Sequence, residues 1–191
     1  MGLRYDGTVV AGGVNSYGRT DVPPGLTNVT KIAVGPFHAL ALKSDGTVVC
    51  WGRNDYGQST PPPGLSNVVS IAAGHFHSLA ALSDGTVVHW GRNDLADGFN
   101  VPPGLSNVVD VSISNNDYYD PQYNLALKSD GTVVEWNSHR LTIPNLPPGL
   151  SNVTKILALP GVPGSMGPSL PGTGVALTAD GTGVGWGRFG K

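Results

Sequence analysis

Apolar and polar residues alternate in short runs along the chain, and turn-forming residues separate these runs. The segments at 66–74 (SNVVSIAAG), 76–82 (FHSLAAL) and 86–91 (TVVHWG) show the pattern most clearly. Alternation over four to eight residues is typical of β-strands, whereas an amphipathic helix needs a longer stretch with apolar residues three to four positions apart. No segment has that longer pattern. We therefore predict units of three strands, named A, B and C in chain order.

Glycine, aspartate and proline define the predicted connections between these strands. Strands B and C are joined by S-D-G-T, for example at 83–86, and aspartate and glycine favour a tight hairpin because they tolerate positive φ. The link from strand C to the next strand A, for example at 53–65, is rich in proline. Because proline cannot donate a backbone hydrogen bond, we expect this link to run outside the sheet.

The same unit recurs along the whole chain. Successive D-G-T tripeptides begin 39, 39, 46 and 50 residues apart, so the unit repeats strictly twice and is then lengthened by insertions. Tryptophan stands six residues after the aspartate in every copy except the first, where Gly12 takes its place. The repeated positions are Asp6, Asp45, Asp84, Asp130 and Asp180 for D-G-T, Pro23, Pro62, Pro102 and Pro147 for P-P-G-L, and Trp51, Trp90, Trp136 and Trp186.

A small antiparallel sheet repeated about every 39 residues predicts an all-β β-propeller, or an open propeller arc. We expect about four to five short blades of three to four strands, with the tryptophans in the core between blades. The chain forms one repeat domain over 1–191, with units at approximately 1–26, 27–65, 66–105, 106–150 and 151–191. The repeated aspartates have a turn role, and the glycine-rich segment that begins at Gly181 lies in a strand rather than before a phosphate-binding helix.

Composition and charge narrow the classes of partner. Only 13% of residues are charged and the formal net charge is −2, which disfavours a nucleic-acid partner. No apolar run is long enough to span a membrane, and the N-terminus lacks the basic and apolar regions of a signal peptide. The single cysteine, Cys50, leaves the cellular compartment open and is predicted to be a small buried residue.

The predicted strands form four complete blades and one additional C strand. The chain begins within strand B of one unit and ends after strand C of another, which gives four A strands, four B strands and five C strands. A small closed ring, a fragment of a longer propeller and an open arc that pairs with another copy all fit this count. We favour a homo-oligomer, because unpaired edge strands are a liability.

One face of the predicted blades varies in sequence and length. If A runs up, the A–B turns and the ends of strands C share this face, and both long insertions, at 114–123 and 160–172, fall in A–B turns. Aromatic residues and arginine favour protein interfaces. The predicted partner-binding residues are Phe37, His38, Arg53, Tyr56, His75, Phe76, Arg92, Asp94, Tyr118, Tyr119, Asp120, His139, Arg140 and Phe189.

The sequence also permits an enzyme. His75 and His77 point to opposite sides of a strand and do not form a metal pair, and no metal ion or cofactor is predicted. A hydrolase or lyase on the variable face would use His77, Asp94, Asp120, His139 and Arg140. The insertion at 114–123 has three interpretations: a solvated loop, a recognition loop, or a catalytic or Ca²⁺ site. His89, whose equivalents are Cys50, Glu135 and Gly185, is expected to be exposed.

The segments FHALALKSDGTVVCWGRNDYGQ and GHFHSLAALSDGTVVHWGRND resemble the repeat of the regulator of chromosome condensation family. The short unit, with VPPGLSNVV between blades, is similar to the β-lactamase inhibitory protein II type of bacterial propeller. The resemblance implies a ring, usually of seven blades, that binds proteins through one face. It places Phe37, Phe76, Tyr118 and Tyr119 on that face and makes the histidines at 38 and 77 part of the ordinary blade pattern.

Three functional hypotheses follow. The first is a noncatalytic protein-binding module, the second is the hydrolase or lyase, and the third is a structural subunit that assembles through its open blade edges.

Overall fold

The computed structural model describes residues 1–92, 101–114, 123–137, 146–159 and 173–187. It contains fourteen strands and one short 3₁₀ helix in the described part of the chain. The N-terminal fragment has β1 (Gly2–Leu3) and β2 (Val9–Val10), and the 3₁₀ helix is Ser16–Gly18. Four blades of three strands follow. Blade 1 contains β3 (Val29–Val34), β4 (His38–Lys43) and β5 (Val48–Gly52), and blade 2 contains β6 (Val68–Ala73), β7 (His77–Leu82) and β8 (Val87–Gly91). Blade 3 contains β9 (Val108–Ile113), β10 (Tyr123–Lys128) and β11 (Val133–Asn137), and blade 4 contains β12 (Val153–Leu159), β13 (Thr173–Thr178) and β14 (Gly183–Trp186).

Each blade is an antiparallel three-stranded sheet whose middle strand is the second in chain order. Contacts between consecutive blades join one A strand to the next and each B strand to the following A strand, so the A strands lie on the inner side of an open arc. The predicted all-β propeller architecture is therefore confirmed. No helix in the described residues is long and apolar enough to cross a membrane.

The D-G-T tripeptides close the hairpins as predicted. In blade 2, Oδ1 of Asp84 accepts hydrogen bonds from the backbone N–H of Thr86 at 2.9 Å and from its hydroxyl at 2.7 Å. These bonds stabilise the carboxylate and lower the pKa of Asp84. The Gly85 carbonyl then accepts the backbone N–H of Val108 in blade 3, at 3.0 Å. Each D-G-T turn thus folds its own hairpin, and in blades 1 to 3 it also holds the first residue of the next A strand.

Tryptophan packs each blade against the one before it. Trp90 of blade 2 lies with Leu40 and Leu42 of blade 1 in one buried cluster. Its indole N–H donates to the Gln58 carbonyl at 3.0 Å, so the polar atom of the ring is also satisfied. Trp136 and Trp186 occupy the same position in their own interfaces. The predicted inter-blade role of the tryptophans is confirmed.

A polar contact joins three blades at their inner strands. Lys31 Nζ lies 2.7 Å from Asp110 Oδ1 and 2.8 Å from Ser70 Oγ, and the Ser70 hydroxyl donates to Asp110. The three residues occupy the same position in β3, β6 and β9, and Ser70 is buried. Because the lysine is paired with the carboxylate, this contact neutralises charge between blades and holds their inner edges together.

Candidate functional site

The A–B turns and the ends of the C strands meet on one face. The backbone N–H of Arg53, directly after β5, donates to the Phe37 carbonyl in the β3–β4 turn at 2.9 Å. In blade 2, the N–H of Arg92 donates to the Phe76 carbonyl at 2.8 Å. Each arginine is therefore fixed beside the aromatic residue of its own A–B turn.

In blades 1 and 2, the glycine that follows the tryptophan allows this close approach. Gly91 has a φ of 106°, and a Cβ placed on it would lie 2.4 Å from the Phe76 carbonyl oxygen. Gly52 has a φ of 98°, and its Cβ would lie 2.6 Å from the Phe37 carbonyl oxygen. Only glycine combines this φ with so little space. The W-G-R sequence therefore sets the position of the arginine.

Arg53 lies at the centre of an aromatic cluster. Its guanidinium carbon is 4.5 Å from the ring centroid of Tyr17, 5.2 Å from that of Phe37 and 5.4 Å from that of Phe76. Its Nε donates to Asp55 at 2.6 Å, and this bond raises the pKa of the guanidinium. A cation over aromatic rings is attracted by their negative faces, so the three rings and Asp55 together hold the guanidinium in this position.

A second arginine extends the cluster towards blade 2. The Arg92 guanidinium carbon lies 5.2 Å from the Tyr56 ring and 5.6 Å from the Phe76 ring. The rings of Tyr56 and Phe76 pack edge to face, with centroids 5.2 Å apart. We call the accessible residues Tyr17, Phe37, Arg53, Tyr56 and Arg92 the aromatic surface.

Tyr17 belongs to this surface although it is not among the predicted partner-binding residues. Its side chain is 56% exposed, and its ring meets Phe37 edge to face at 5.3 Å between centroids. The signal was present in the repeat, because Tyr17 in NSYG stands 39 residues before Tyr56 in NDYG. Its φ of 59° places it in the left-handed region, which is costly for a bulky residue and is held here by the surrounding contacts.

Two of the repeated histidines form buried hydrogen bonds between blades. His38 Nε2 lies 2.8 Å from Ser78 Oγ, and His77 Nε2 lies 3.1 Å from Asn124 Oδ1. Both histidines are fully buried, and burial lowers the pKa of His38 to about 4. The interpretation of these histidines as part of the blade pattern is confirmed.

Burial corrects part of the predicted site. His38 and His77 have no exposed surface, Phe76 is 2% exposed and His75 is 8% exposed. In this conformation His38, His75 and Phe76 support the aromatic surface from below and do not present a contact area to a partner. For the same reason His77 lies out of reach of a substrate. The turn tip folds back onto the blade because its rings pack against Phe37 and Tyr56.

The position of His89 is also corrected. The predicted exposure is not observed: the side chain is partly covered, and burial lowers the pKa of His89. The equivalent Glu135 is only 3% exposed and accepts hydrogen bonds from the Tyr123 hydroxyl and, at 2.9 Å, from the Trp186 indole. The expectation was wrong because this side of strand C faces the following blade. At Cys50, burial raises the pKa of the thiol to about 12.

Seven predicted site residues lie outside the described residues: Asp94, Tyr118, Tyr119, Asp120, His139, Arg140 and Phe189. They include four of the five residues named for the enzyme hypothesis. Within the part of the chain that the structure describes, no three histidine, cysteine, aspartate or glutamate side chains form a group able to hold a metal ion.

Comparison with known proteins identifies the repeat. A family model described as the regulator of chromosome condensation (RCC1) repeat matches residues 29–58 and 68–95. These segments cover blades 1 and 2, including both W-G-R sequences and the aromatic residues before β4 and β7. Blades 1 and 2 are therefore similar to the RCC1 repeat, and the predicted resemblance is confirmed for them. No curated protein matches the chain by sequence. The resemblance to the β-lactamase inhibitory protein II type stays a prediction.

Solved structures share the propeller fold. The ectodomain of the receptor kinase CR4 from Physcomitrella patens superposes with a TM-score of 0.63 at 21% identity, covering 92% of this chain and 45% of that one. Human WBSCR16 gives 0.59 at 20% identity, covering 84% and 47%. Yeast RCC1 (Prp20), bound to Kap60, gives 0.54 at 21% identity, covering 84% and 44%. The chain therefore spans about half the length of these three proteins.

Proposed function

We propose that the chain is a noncatalytic protein-binding module and that its aromatic surface contacts the partner. The observation that carries the proposal is the stacking of Arg53 on three rings, beside the exposed Tyr17. Arginine and tyrosine are the residues that most often dominate binding energy at protein interfaces. Because packing already holds their side chains, little conformational entropy is lost when a partner binds.

The solved structures of yeast Prp20 support a protein as the class of partner. Prp20 was solved in complex with Kap60, and a second study of Prp20 concerns its binding to Gsp1p and histones. Those partners belong to Prp20, and this chain has only about half its length. What we transfer is the use of an RCC1-type propeller to bind another protein.

The long insertions extend the proposal. The sequence between β9 and β10 contains Tyr118, Tyr119 and Asp120, and the sequence after β11 contains His139 and Arg140. In blades 1 and 2, the A–B turn and the end of strand C both lie on the face that carries the aromatic surface. The corresponding connections of blade 3 should lead to the same face. We therefore propose that these residues, with Asp94 and Phe189, extend the contact area across the arc.

Affinity capture followed by titration tests the proposal. Proteins retained by the wild-type chain are compared with those retained by Tyr17→Ala/Tyr56→Ala, and each retained protein is then purified and titrated. We expect the double variant to weaken binding at least about tenfold, the usual effect of removing an interface hot spot. Tyr5→Ala is the matched control, because Tyr5 is fully exposed but lies in the D-G-T turn at the opposite face. Equal weakening by both variants, or by neither, contradicts the proposal.

Assembly through the last blade is a second candidate, favoured by a specific exposure. Leu177 is 38% exposed, whereas the equivalent Leu42 and Leu127 are each 4% exposed because a following blade covers them. Leu157, on β12, is 51% exposed. We propose that a second copy covers these leucines. Sedimentation should show a dimer or larger species that Leu177→Asp dissociates and Tyr5→Asp leaves intact, and a wild-type monomer at high concentration contradicts this candidate.

A further inference from the structure

A crevice opens at the D-G-T end of blade 4, at the opposite face from the aromatic surface. It encloses about 520 Å³ between the turn at 147–150 and the β13–β14 hairpin. The turn is closed by the Leu150 N–H, which donates to the Pro147 carbonyl at 3.2 Å. Prolines, Leu150 and Val184 form apolar walls, and Asp180 brings a carboxylate to the same crevice. Ser151, Asn152 and Thr182 add polar groups to the lining. An open crevice with apolar walls and one carboxylate suits a ligand with an aliphatic stem and a cationic end.

Blade 1 contains the equivalent crevice, and there the chain supplies such a group itself. The crevice between 23–27 and β5 encloses about 310 Å³ and is lined by Lys43. The ammonium group of Lys43 lies 2.9 Å from Asp45 Oδ2, the counterpart of Asp180. In blade 3, Lys128 pairs with Asp130 in the same way at 3.2 Å.

Blade 4 keeps the aspartate but has lost the lysine. Thr178 stands at the position of Lys43, and its hydroxyl donates to Asp180 Oδ1 at 2.6 Å. This bond and those from Thr182 lower the pKa of Asp180, so the carboxylate is charged at neutral pH. Among the described residues no lysine or arginine forms an ion pair with Asp180. The shorter side chain therefore leaves space, and within the described part of the chain no lysine or arginine balances the charge of this carboxylate.

We propose that the blade 4 crevice binds a lysine side chain of a partner protein. The lysine stem lies along the proline and leucine walls, and its ammonium group pairs with Asp180 as Lys43 pairs with Asp45 within blade 1. The site lies at the opposite end of the blades from the aromatic surface and does not depend on it. Because an exposed ion pair contributes little by itself, one isolated lysine should bind with an affinity in about the millimolar range.

Chemical-shift titration of the folded chain with Nα-acetyl-lysine N-methylamide tests the site. We expect saturable shifts at the amides of Leu150, Asn152 and Thr182, and none with the Nε-acetylated analogue, which lacks the charge. Asp180→Asn should weaken binding at least about fivefold. Thr178→Lys should abolish it, because the new side chain occupies the crevice as Lys43 does in blade 1.

A gain of function gives the sharper control. Lys43→Thr should open the blade 1 crevice and create a second set of saturable shifts around Gly25 and Thr47, while leaving the blade 4 shifts unchanged. Equal shifts with the Nε-acetylated analogue overturn the proposal, as do blade 4 shifts that persist in Thr178→Lys. The absence of saturable shifts in the wild-type chain, or of a new site in folded Lys43→Thr, also counts against it.

Discussion

Acid should weaken the junction between blades 1 and 2 through His38. Burial lowers its pKa from an ordinary value of 6.5 to about 4, so the folded protein keeps the ring neutral. The unfolded chain takes up a proton near pH 6.5, and the folded chain resists until about pH 4. The stabilising effect of the neutral ring is therefore complete above pH 6.5 and is lost progressively as the pH falls towards 4.

The size of this effect follows from the two pKa values. At about 1.4 kcal/mol for each tenfold change in proton affinity, the gap corresponds to about 3 kcal/mol of unfolding free energy. About 2 kcal/mol of that loss should occur between pH 8 and pH 5. At its steepest, the change in unfolding free energy with pH should be close to the value for one extra proton bound by the unfolded chain.

Urea unfolding at pH 8, 7, 6 and 5, followed by circular dichroism, measures this loss. The matched variant is His38→Gln, which keeps a polar group near Ser78 but cannot be protonated. The two proteins differ only at position 38, so the difference between their free energies of unfolding at each pH reports the effect of the histidine there. We expect the wild type to lose about 2 kcal/mol more than the variant across this range. Parallel pH profiles would show that His38 is not held neutral by the interface.

Two further predictions concern the contacts that set the arc. Gly91→Ala should lower the melting temperature measured by calorimetry, because the new Cβ would lie 2.4 Å from the Phe76 carbonyl oxygen and the φ of 106° is unfavourable for alanine. The expected cost is about 1–3 kcal/mol. Gly12→Ala is the control and should leave the melting temperature unchanged, because a Cβ at position 12 meets nothing within 4 Å. Trp90→Phe should destabilise the chain by about 1–3 kcal/mol in urea unfolding, because the indole bond to the Gln58 carbonyl is lost within a buried interface; a change below about 0.5 kcal/mol would remove the assigned role of this bond.

The blade architecture could be predicted because its determinants are local and repeated. Alternation gives the strands, and D-G-T closes a hairpin through bonds between residues two positions apart. The six-residue step from Asp84 to Trp90 then fixes which side of strand C carries the indole. These relations lie within one unit, so each copy of the repeat provides the same evidence again.

Which residues form the aromatic surface could not be predicted from the sequence, because this depends on contacts between different repeat units. Phe76 looks like an exposed turn residue in the sequence, yet the rings of Phe37 and Tyr56, from blade 1 and the link that follows it, cover it. Arg53 contacts rings at 17, 37 and 76, a spread of residues that no local pattern reveals. Glu135 is buried because the next blade supplies Trp186 as a hydrogen-bond donor. Tyr17 could have been predicted from the sequence in one way, because it stands one repeat length of 39 residues before Tyr56.

Photo-crosslinking to a captured partner tests the central claim most directly. A benzoylphenylalanine group replaces Tyr56 in one protein and Tyr5, at the opposite face, in another, and the crosslinked peptides are mapped by mass spectrometry. We predict that the group at position 56 crosslinks to the partner and that the group at position 5 does not. Crosslinking at position 5 alone, or partner binding that persists with no crosslink at position 56, would contradict binding through the aromatic surface.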